Sequence, residues 1–310
     1  RRVLDREMHG YDSLPILDND APQNDPGYFF IANSAIKLDG DVLVFVLYSP
    51  DGTLSPIHRK QINDYEAAGF QLILVINTPQ WFALNQKLKS EPALSRSAYV
   101  MVRDNIGYDF GGWKQLLSNI SGFKDAKTLS FTNDSVLTID QDKLKKLRSK
   151  IKDTNDVWFL TENLEKKPHG QSYFFGFHAK HYDLVHKHIT GSPYYYDKEA
   201  LIFNEELYFS ARFRDAGLKV DFLYNTSSRK IEDHTNITIS RWENLIEDGF
   251  PFLKLKIFEI NMNLLNNQKI RNLIGSRACF DIQNHFRFRS KSIKSLDFLS
   301  GKQLKPSIKD

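Results

Sequence analysis

Unbroken apolar runs alternate along this chain with stretches of helical periodicity. Val42-Leu43-Val44-Phe45-Val46-Leu47-Tyr48 is apolar on both faces and is bounded by Gly40 and by Pro50-Asp51-Gly52. That is the pattern of a central strand in a parallel sheet. Pro56 to Ala68 reads as a helix closed by Gly69. Phe70 to Ile76 forms a second apolar run, stops at Asn77-Thr78-Pro79 and completes a βαβ unit. Further strands are predicted at Tyr99 to Val102, Thr128 to Thr132, Val157 to Leu160 and Tyr173 to Phe177. Helices are predicted at Trp113 to Asn119, Gln141 to Ile151 and Glu205 to Asp215, the last ended by Gly217. This alternation predicts an α/β fold, a Rossmann-type domain with a mostly parallel central sheet flanked by helices. Ligands of such sheets bind beyond the carboxyl ends of the strands.

Composition divides the chain into three parts. Residues 1–39, rich in Asp, Asn and Pro, read as an irregular extension; 40–261 hold the α/β domain; 262–310 form a basic, helical tail. With 310 residues and 41% apolar content the chain can bury a large core without staples. Its single cysteine, Cys279, has no internal partner, which fits a reducing cytoplasm and a half-buried thiol. The chain opens Arg1-Arg2-Val3, as expected of a piece of a longer protein, and contains no apolar run near the ~20 residues that span a bilayer. Basic residues dominate from Lys269 onward (Arg271, Arg277, Arg287, Arg289, Lys291) although the net charge is only +4. Such a tail suits contact with an anionic membrane surface, or equally a solvated helix with a frayed end. Because its charges avoid the expected pocket, nucleic acid is not the expected partner.

The polar clusters fall just after the predicted strands. Arg103-Asp104-Asn105-Ile106-Gly107-Tyr108-Asp109-Phe110-Gly111-Gly112-Trp113 joins a strand to a helix, where glycines let backbone approach a ligand and helix N–H groups can face a diphosphate. Neither a P-loop nor a G-x-G-x-x-G fingerprint is present. Asn133-Asp134-Ser135 follows the next strand, where a carboxylate can hold a divalent cation or simply close an Asx-turn. His169-Gly170-Gln171-Ser172-Tyr173 leads into an aromatic strand that can serve as a sugar platform or as core. Glu205-Glu206 stands at the expected start of a helix, favoured there by its dipole or placed to deprotonate an acceptor hydroxyl.

In this order the clusters resemble the glycosyltransferases of the A-type fold (GT-A). Glu205 to Lys219 matches their late acidic helix, with Arg212 and Ala216-Gly217 in register. More narrowly, Asn105 to Trp113, Asn133-Asp134-Ser135, His169 to Phe174 and Trp242 to Lys254 resemble the rhamnan synthesis protein F family. The resemblance implies a transferase, with inversion, that moves a sugar such as rhamnose from a dTDP- or UDP-linked donor to a glycan or lipid-linked acceptor. The setting it implies is bacterial surface polysaccharide (O-antigen, capsule or rhamnan), at the cytoplasmic face of the inner membrane. It places the general base on Glu206. Tyr48, Asn77, Asp104, Asn105, Gly107, Asp109, Asn133, Asp134 and Ser135 fall on the nucleotide-sugar side; His169, Gln171, Tyr173, Glu205 and Arg212 fall on the acceptor side. Asp134 and His234 take the positions of metal ligands for Mg²⁺ or Mn²⁺, but Asn133 and Ser135 stand where the family pattern has carboxylates. That departure leaves metal use open and motivates a rival reading, a non-catalytic carbohydrate-binding or scaffold module of a larger polymerase.

Overall fold

A computed structural model describes residues 26–33, 37–79, 81, 88, 91–224 and 236–286. Among the described residues eight strands form the main sheet: β1 (Tyr28–Asn33), β2 (Asp41–Tyr48), β3 (Gln71–Asn77), β4 (Tyr99–Arg103), β5 (Thr128–Asn133), β7 (Val157–Phe159), β10 (Phe174–His178) and β11 (Val220–Phe222). Their order is β1-β4-β3-β2-β5-β10-β7-β11. β2 pairs in parallel with β3 and β5, β3 with β4, and β7 with β11, whereas β1 and β10 run the other way. The sheet is therefore mostly parallel, as the apolar runs predict.

Alternation sorts the side chains of β2 onto two cores. Val42, Val44 and Val46 join Trp113 and Phe110 of helix α2 (Tyr108–Asn119) and the stacked rings of Phe131, Phe175 and Phe159. Leu43, Phe45 and Leu47 face the other way, toward Ile62 and Tyr65 of α1 (Pro56–Ala67) and Leu144 and Leu147 of α3 (Gln141–Ile151). The α1 start carries a capping box between Ser55 and His58 with Pro56 in its first turn, which satisfies helix-end donors locally.

Four features depart from the sequence reading. Part of the expected irregular extension is a strand: β1 covers the sheet edge along β4. β10 is antiparallel to both neighbours. The link from β7 to β10 holds only the ribbon β8 (Glu162–Asn163) and β9 (His169–Gly170), with no crossover helix, so the chain returns antiparallel. The expected helix at Glu205 begins earlier, at α5 (Lys198–Leu201), capped by Asp197, and passes through a π-helical turn (Ile202–Glu206) into α6 (Leu207–Asp215). The two glutamates thus lie inside a helix and not at its N-terminus, so a helix dipole does not account for them.

A third core lies under the site. β12 (Phe252–Lys254) pairs antiparallel with β6 (Val136–Thr138), and Leu137 and Leu253 meet Ile257, Phe258, Leu265, Ile270, Cys279 and Ile282. Residues 262–286, the described part of the expected tail, are thereby packed onto the α/β domain, and Cys279 is a buried thiol. No helix among the described residues is long and apolar enough to cross a membrane.

Candidate functional site

The register of the central strands sets Tyr48 beside Asn77, Asn77 beside Arg103, and Asn133 opposite Val46, all at the carboxyl edge of the sheet. Arg103 is fully buried there. Its guanidinium donates to Asn77 Oδ1 at 2.8 Å, to Gln115 Oε1 and to the Ile106 carbonyl. Burial pulls its pKa down to about 10, against the opposing pull of nearby Asp104 and Asp109. Asn77 spends its amide on the Tyr108 carbonyl at 3.1 Å. It is a strut of the loop that follows β4 more than a hand held out to solvent. Sequence reasoning placed Arg103 at the head of the first polar cluster but gave it no role; its signal is a charged residue ending an otherwise apolar strand.

The loop itself is tightly wound. Gly107 has φ +79°, and its N–H donates to the Tyr195 carbonyl at 2.9 Å. A Cβ on Gly111 would stand 2.3 Å from the Ile106 carbonyl oxygen, so only glycine fits. Asp104 and Asn105 are half-buried; the Asn105 N–H donates to Asp104 Oδ1 at 2.7 Å, and the Asp104 N–H to the Gly27 carbonyl at 3.0 Å. Asp109 enters the first turn of α2, where the helix dipole favours its charge.

Asp109 and the Asn133-Asp134-Ser135 turn are brought together. Asn133 Nδ2 donates to Asp109 Oδ2 at 2.7 Å, while Asn133 Oδ1 accepts from the N–H and hydroxyl of Ser135. Asp134 Oδ2 accepts the Tyr48 N–H at 3.0 Å and lies 3.4 Å from His58 Nε2. Burial, and after it the charge of Asp134, pushes the Asp109 carboxyl up to about 7. Next to this pair, a cavity of about 260 Å³ opens between the β2–α1 loop and the helix over 276–286, lined among others by Tyr48, Pro50, Leu54, His58 and His285.

The π-helical turn sends the two glutamates to different neighbours, a common use of such turns at functional sites. Glu205 is buried, accepting from Tyr195 Oη and Ser192 Oγ at 2.9 Å each and from the Arg212 guanidinium. Arg212 also holds the Asn204 carbonyl. These two expected acceptor residues are thus tied to one another. Glu206 is half-exposed, with Oε1 held by the Ser172 hydroxyl at 2.8 Å, and its charge is near enough to act on Asp109.

His169, Gln171 and Tyr173 are buried in the layer beneath. His169 Nδ1 meets the Lys167 carbonyl at 2.7 Å. Thr161 links Gln171 Oε1 and the Tyr173 hydroxyl, each at 2.7 Å. They shape the floor that Ser172 rises from. His234 lies outside the described residues.

Two lysines complete the charge pattern. Lys254 Nζ stands 4.4 Å over the Tyr173 ring, and Lys198 begins α5. Glu206 and Asp109 favour the Lys254 ammonium, Lys198 and Lys256 oppose it, and burial outweighs all four, bringing it down to about 8. Neither lysine has a site signature of its own in the sequence, because each reaches the site through pairing across long stretches of chain.

Among the described residues the donor set does not form a carboxylate-bound site for a divalent cation. Among the described residues no group of three or more His, Cys, Asp or Glu side chains is placed to hold a metal ion. Asn133 and Ser135 are bonded to each other, and Asp134 Oδ2 already accepts a backbone N–H.

Comparison with known proteins adds family to geometry. Virulence protein VirA of Vibrio anguillarum is 28% identical over 192 residues, covering 51% of this chain and 62% of that protein. The match therefore spans less than two thirds of the relative's own length. The uncharacterised protein y4gN of Sinorhizobium fredii is 26% identical over 197 residues, covering 60% of this chain and 49% of its own. Among solved structures, a Drosophila β-1,4-galactosyltransferase 7 mutant in complex with manganese, UDP-Gal and xylobiose is 10% identical, at TM-score 0.31 over 63% of this chain and 68% of that one. The bifunctional glycosyltransferase WbbM is also 10% identical, at TM-score 0.32 over 62% of this chain and 40% of that one. The family description "Rhamnan synthesis protein F" matches residues 81–291, a span that includes Asp109, Asn133, Asp134, Glu206 and Lys254. Since that match covers more than half of the sequence, the chain belongs to the rhamnan synthesis protein F family.

Proposed function

We propose that this protein is a glycosyltransferase of polysaccharide synthesis that transfers a sugar from a nucleoside-diphosphate donor to a glycan hydroxyl with inversion. The observation that carries the reading is the convergence of Glu206, Asp109 and the Asn133–Ser135 turn at the carboxyl edge of a mostly parallel sheet, where such folds bind ligands. Membership of the rhamnan synthesis family supports it. A rhamnose donor linked to dTDP or UDP, and a lipid-linked acceptor, are the substrates that membership favours.

In this reading the base and ribose occupy the cavity beside Tyr48, and the diphosphate lies along Asn133, Asp134 and Ser135. Glu206 takes the acceptor hydroxyl proton as that oxygen bonds to the anomeric carbon. The bond from that carbon to the diphosphate oxygen breaks, and its electron pair leaves with the nucleotide. Ser172 keeps Oε1 of Glu206 in place, so the base stays oriented. Arg103 and Asn77 hold the loop that carries Asp109. No step is routed through a metal ion, because the described residues do not gather a carboxylate cluster for one.

Thermal-shift measurements with UDP, dTDP and their sugars test the binding half of the proposal: a ligand at 100 times its Kd adds about 2.7 kcal/mol. Transfer assays test the other half. Glu206→Gln should lower turnover at least ~10²-fold with the fold intact, since general-base contributions run at about 10²–10⁴. Turnover near wild type in that variant would remove Glu206 from the mechanism. Absence of donor hydrolysis together with retained glycan binding would instead support the rival scaffold role.

A further inference from the structure

Among the described residues no carboxylate cluster is placed to hold a divalent cation that would neutralise a departing diphosphate, and the Lys254 ammonium, fixed beside the Asn133–Ser135 turn, is placed to do so. We propose that the Lys254 ammonium binds the diphosphate of the donor and neutralises it as it leaves, in the role a metal ion would otherwise fill. The inference rests on the glycosyltransferase reading above.

The backbone brings Lys254 to the place where the diphosphate would lie. Val136 directly follows the Asn133–Ser135 turn and pairs with Lys254 in the β6–β12 ladder. The next residue reinforces the link, as the Leu255 N–H donates to the Ser135 carbonyl at 2.8 Å. Lys254 is thus fixed alongside that turn by main-chain bonds from a rigid two-stranded unit, which is backed by the third core through Leu137 and Leu253.

The side chain is positioned as well. Its Nζ rests 4.4 Å from the centre of the Tyr173 ring, a cation–π contact that orients a charge without consuming its N–H donors. Tyr173 is itself buried and bonded to Thr161. Ser172, the adjacent residue, holds the proposed base Glu206. Among the described residues the Lys254 ammonium makes no side-chain hydrogen bond or ion pair, although Glu206 and Asp109 act on it at longer range. A half-buried ammonium with three uncommitted donors carries a desolvation penalty that a bound anion relieves. Burial already brings this group down to about 8, as expected for a charge that lacks a close partner in the unliganded protein.

During transfer the glycosidic electron pair moves onto the terminal phosphate oxygen and the proton passes from the acceptor to Glu206. The added negative charge appears on the leaving group, where Lys254 faces it. An ammonium at that point binds the departing diphosphate more tightly than the intact donor, which is the condition for catalysis.

The experiment is calorimetric titration of the full chain, in the presence of EDTA, with UDP, dTDP and the corresponding nucleosides. Wild type, Lys254→Met and Lys254→Arg are compared, with Lys254→Gln in place of the Met variant should that one lose its fold. We expect wild type to bind a nucleoside diphosphate without metal. Lys254→Met should weaken that affinity by about tenfold or more, the size of a lost charge-assisted contact, and leave nucleoside affinity unchanged. Lys254→Arg should recover most of the loss. The inference is overturned if Lys254→Met binds the diphosphate as wild type does, or if wild-type affinity vanishes in EDTA and returns with Mn²⁺. Should wild type bind no nucleoside diphosphate under either condition, the glycosyltransferase reading falls and this inference with it.

Discussion

Glu205 and Glu206 are adjacent in sequence and of one chemical type, yet they should fail in opposite ways when neutralised. Glu205→Gln replaces a buried carboxylate that receives Tyr195 and Ser192 at 2.9 Å and the Arg212 guanidinium. Hydrogen bonds to a charged group contribute about 1.5–3 kcal/mol each, and breaking a fully buried ion pair costs about 3–5 kcal/mol. The Arg212 side chain is 34% exposed, so solvent recovers part of that loss, and the amide still accepts one or two of the bonds. A net cost of about 2–3 kcal/mol follows. For a chain of this size 1 kcal/mol moves the midpoint by about 2–4 °C, so Glu205→Gln should melt roughly 5–10 °C below wild type. Its urea midpoint should fall at unchanged slope. Transfer per folded molecule, assayed well below either midpoint, should stay within about threefold. Glu206→Gln should show the converse, melting within about 2 °C of wild type because its carboxylate is half-exposed and held by one serine, with the turnover loss given above. Two variants that destabilise equally would refute the division of labour, as would a Glu205→Gln protein that is fully stable but inactive.

Other consequences are open to equally direct checks. Asp109 titrates at about 7 in the folded protein, above the ordinary carboxylate range, because of burial and the charge of Asp134. A raised carboxyl pKa means that ionisation opposes folding, so stability declines as pH rises from about 4 through 7. Asp109→Asn should accordingly match wild type in thermal midpoint at pH 4 and exceed it at pH 8; a difference that does not vary with pH would contradict this. Gly111→Ala forces a methyl within 2.3 Å of a backbone carbonyl, and a loss of about 3 kcal/mol or an insoluble product is expected, readable by urea denaturation. Leu253→Ala should cost about 2–5 kcal/mol as a core truncation, and should also weaken nucleotide binding, since it loosens the strand that carries Lys254. Chains ending at Asn261 should bind a hydrophobic dye that the full chain does not, because Leu137 and Leu253 lose Leu265, Ile270 and Ile282 as cover.

Much of the sheet was legible because continuous apolar runs have one low-energy use. The segments at Val42, Phe70, Thr128 and Val157 lie within a residue or so of the strands formed. β1 was not legible, for its Tyr-Phe-Phe-Ile-Ala-Asn run sits in a polar stretch, and an edge strand needs only one apolar face. The direction of β10 was hidden as well, since periodicity does not report polarity and the small ribbon before it carries no strong pattern. In the site, Asp109, Asn133 and Asp134 stood out as polar groups after apolar strands, and Asn133 bonds Asp109; Glu206, expected at a helix start, acts on Asp109 through its charge. The roles of Glu205 and Arg212 were obscured by the π-helical turn, which breaks the 3.6-residue phase that sequence reasoning relies on. Lys254 was obscured by distance along the chain: nothing local marks a lysine whose neighbours are Tyr173, Glu206 and Asp109.

The β6–β12 pairing also has a consequence for the timing of synthesis. Among the described residues every main-sheet strand has been made once Phe222 emerges, and the sheet can then close around its two cores. The ladder that delivers Lys254 joins it to Val136, and its backing comes from residues out to Ile282. Such long-range contacts are the slow ones in folding, and domains assemble in the order in which chain becomes available. A nascent chain would therefore hold a finished sheet and an unfinished site. Competence for the proposed chemistry would arrive only once the segment out to Ile282 has been made and packed.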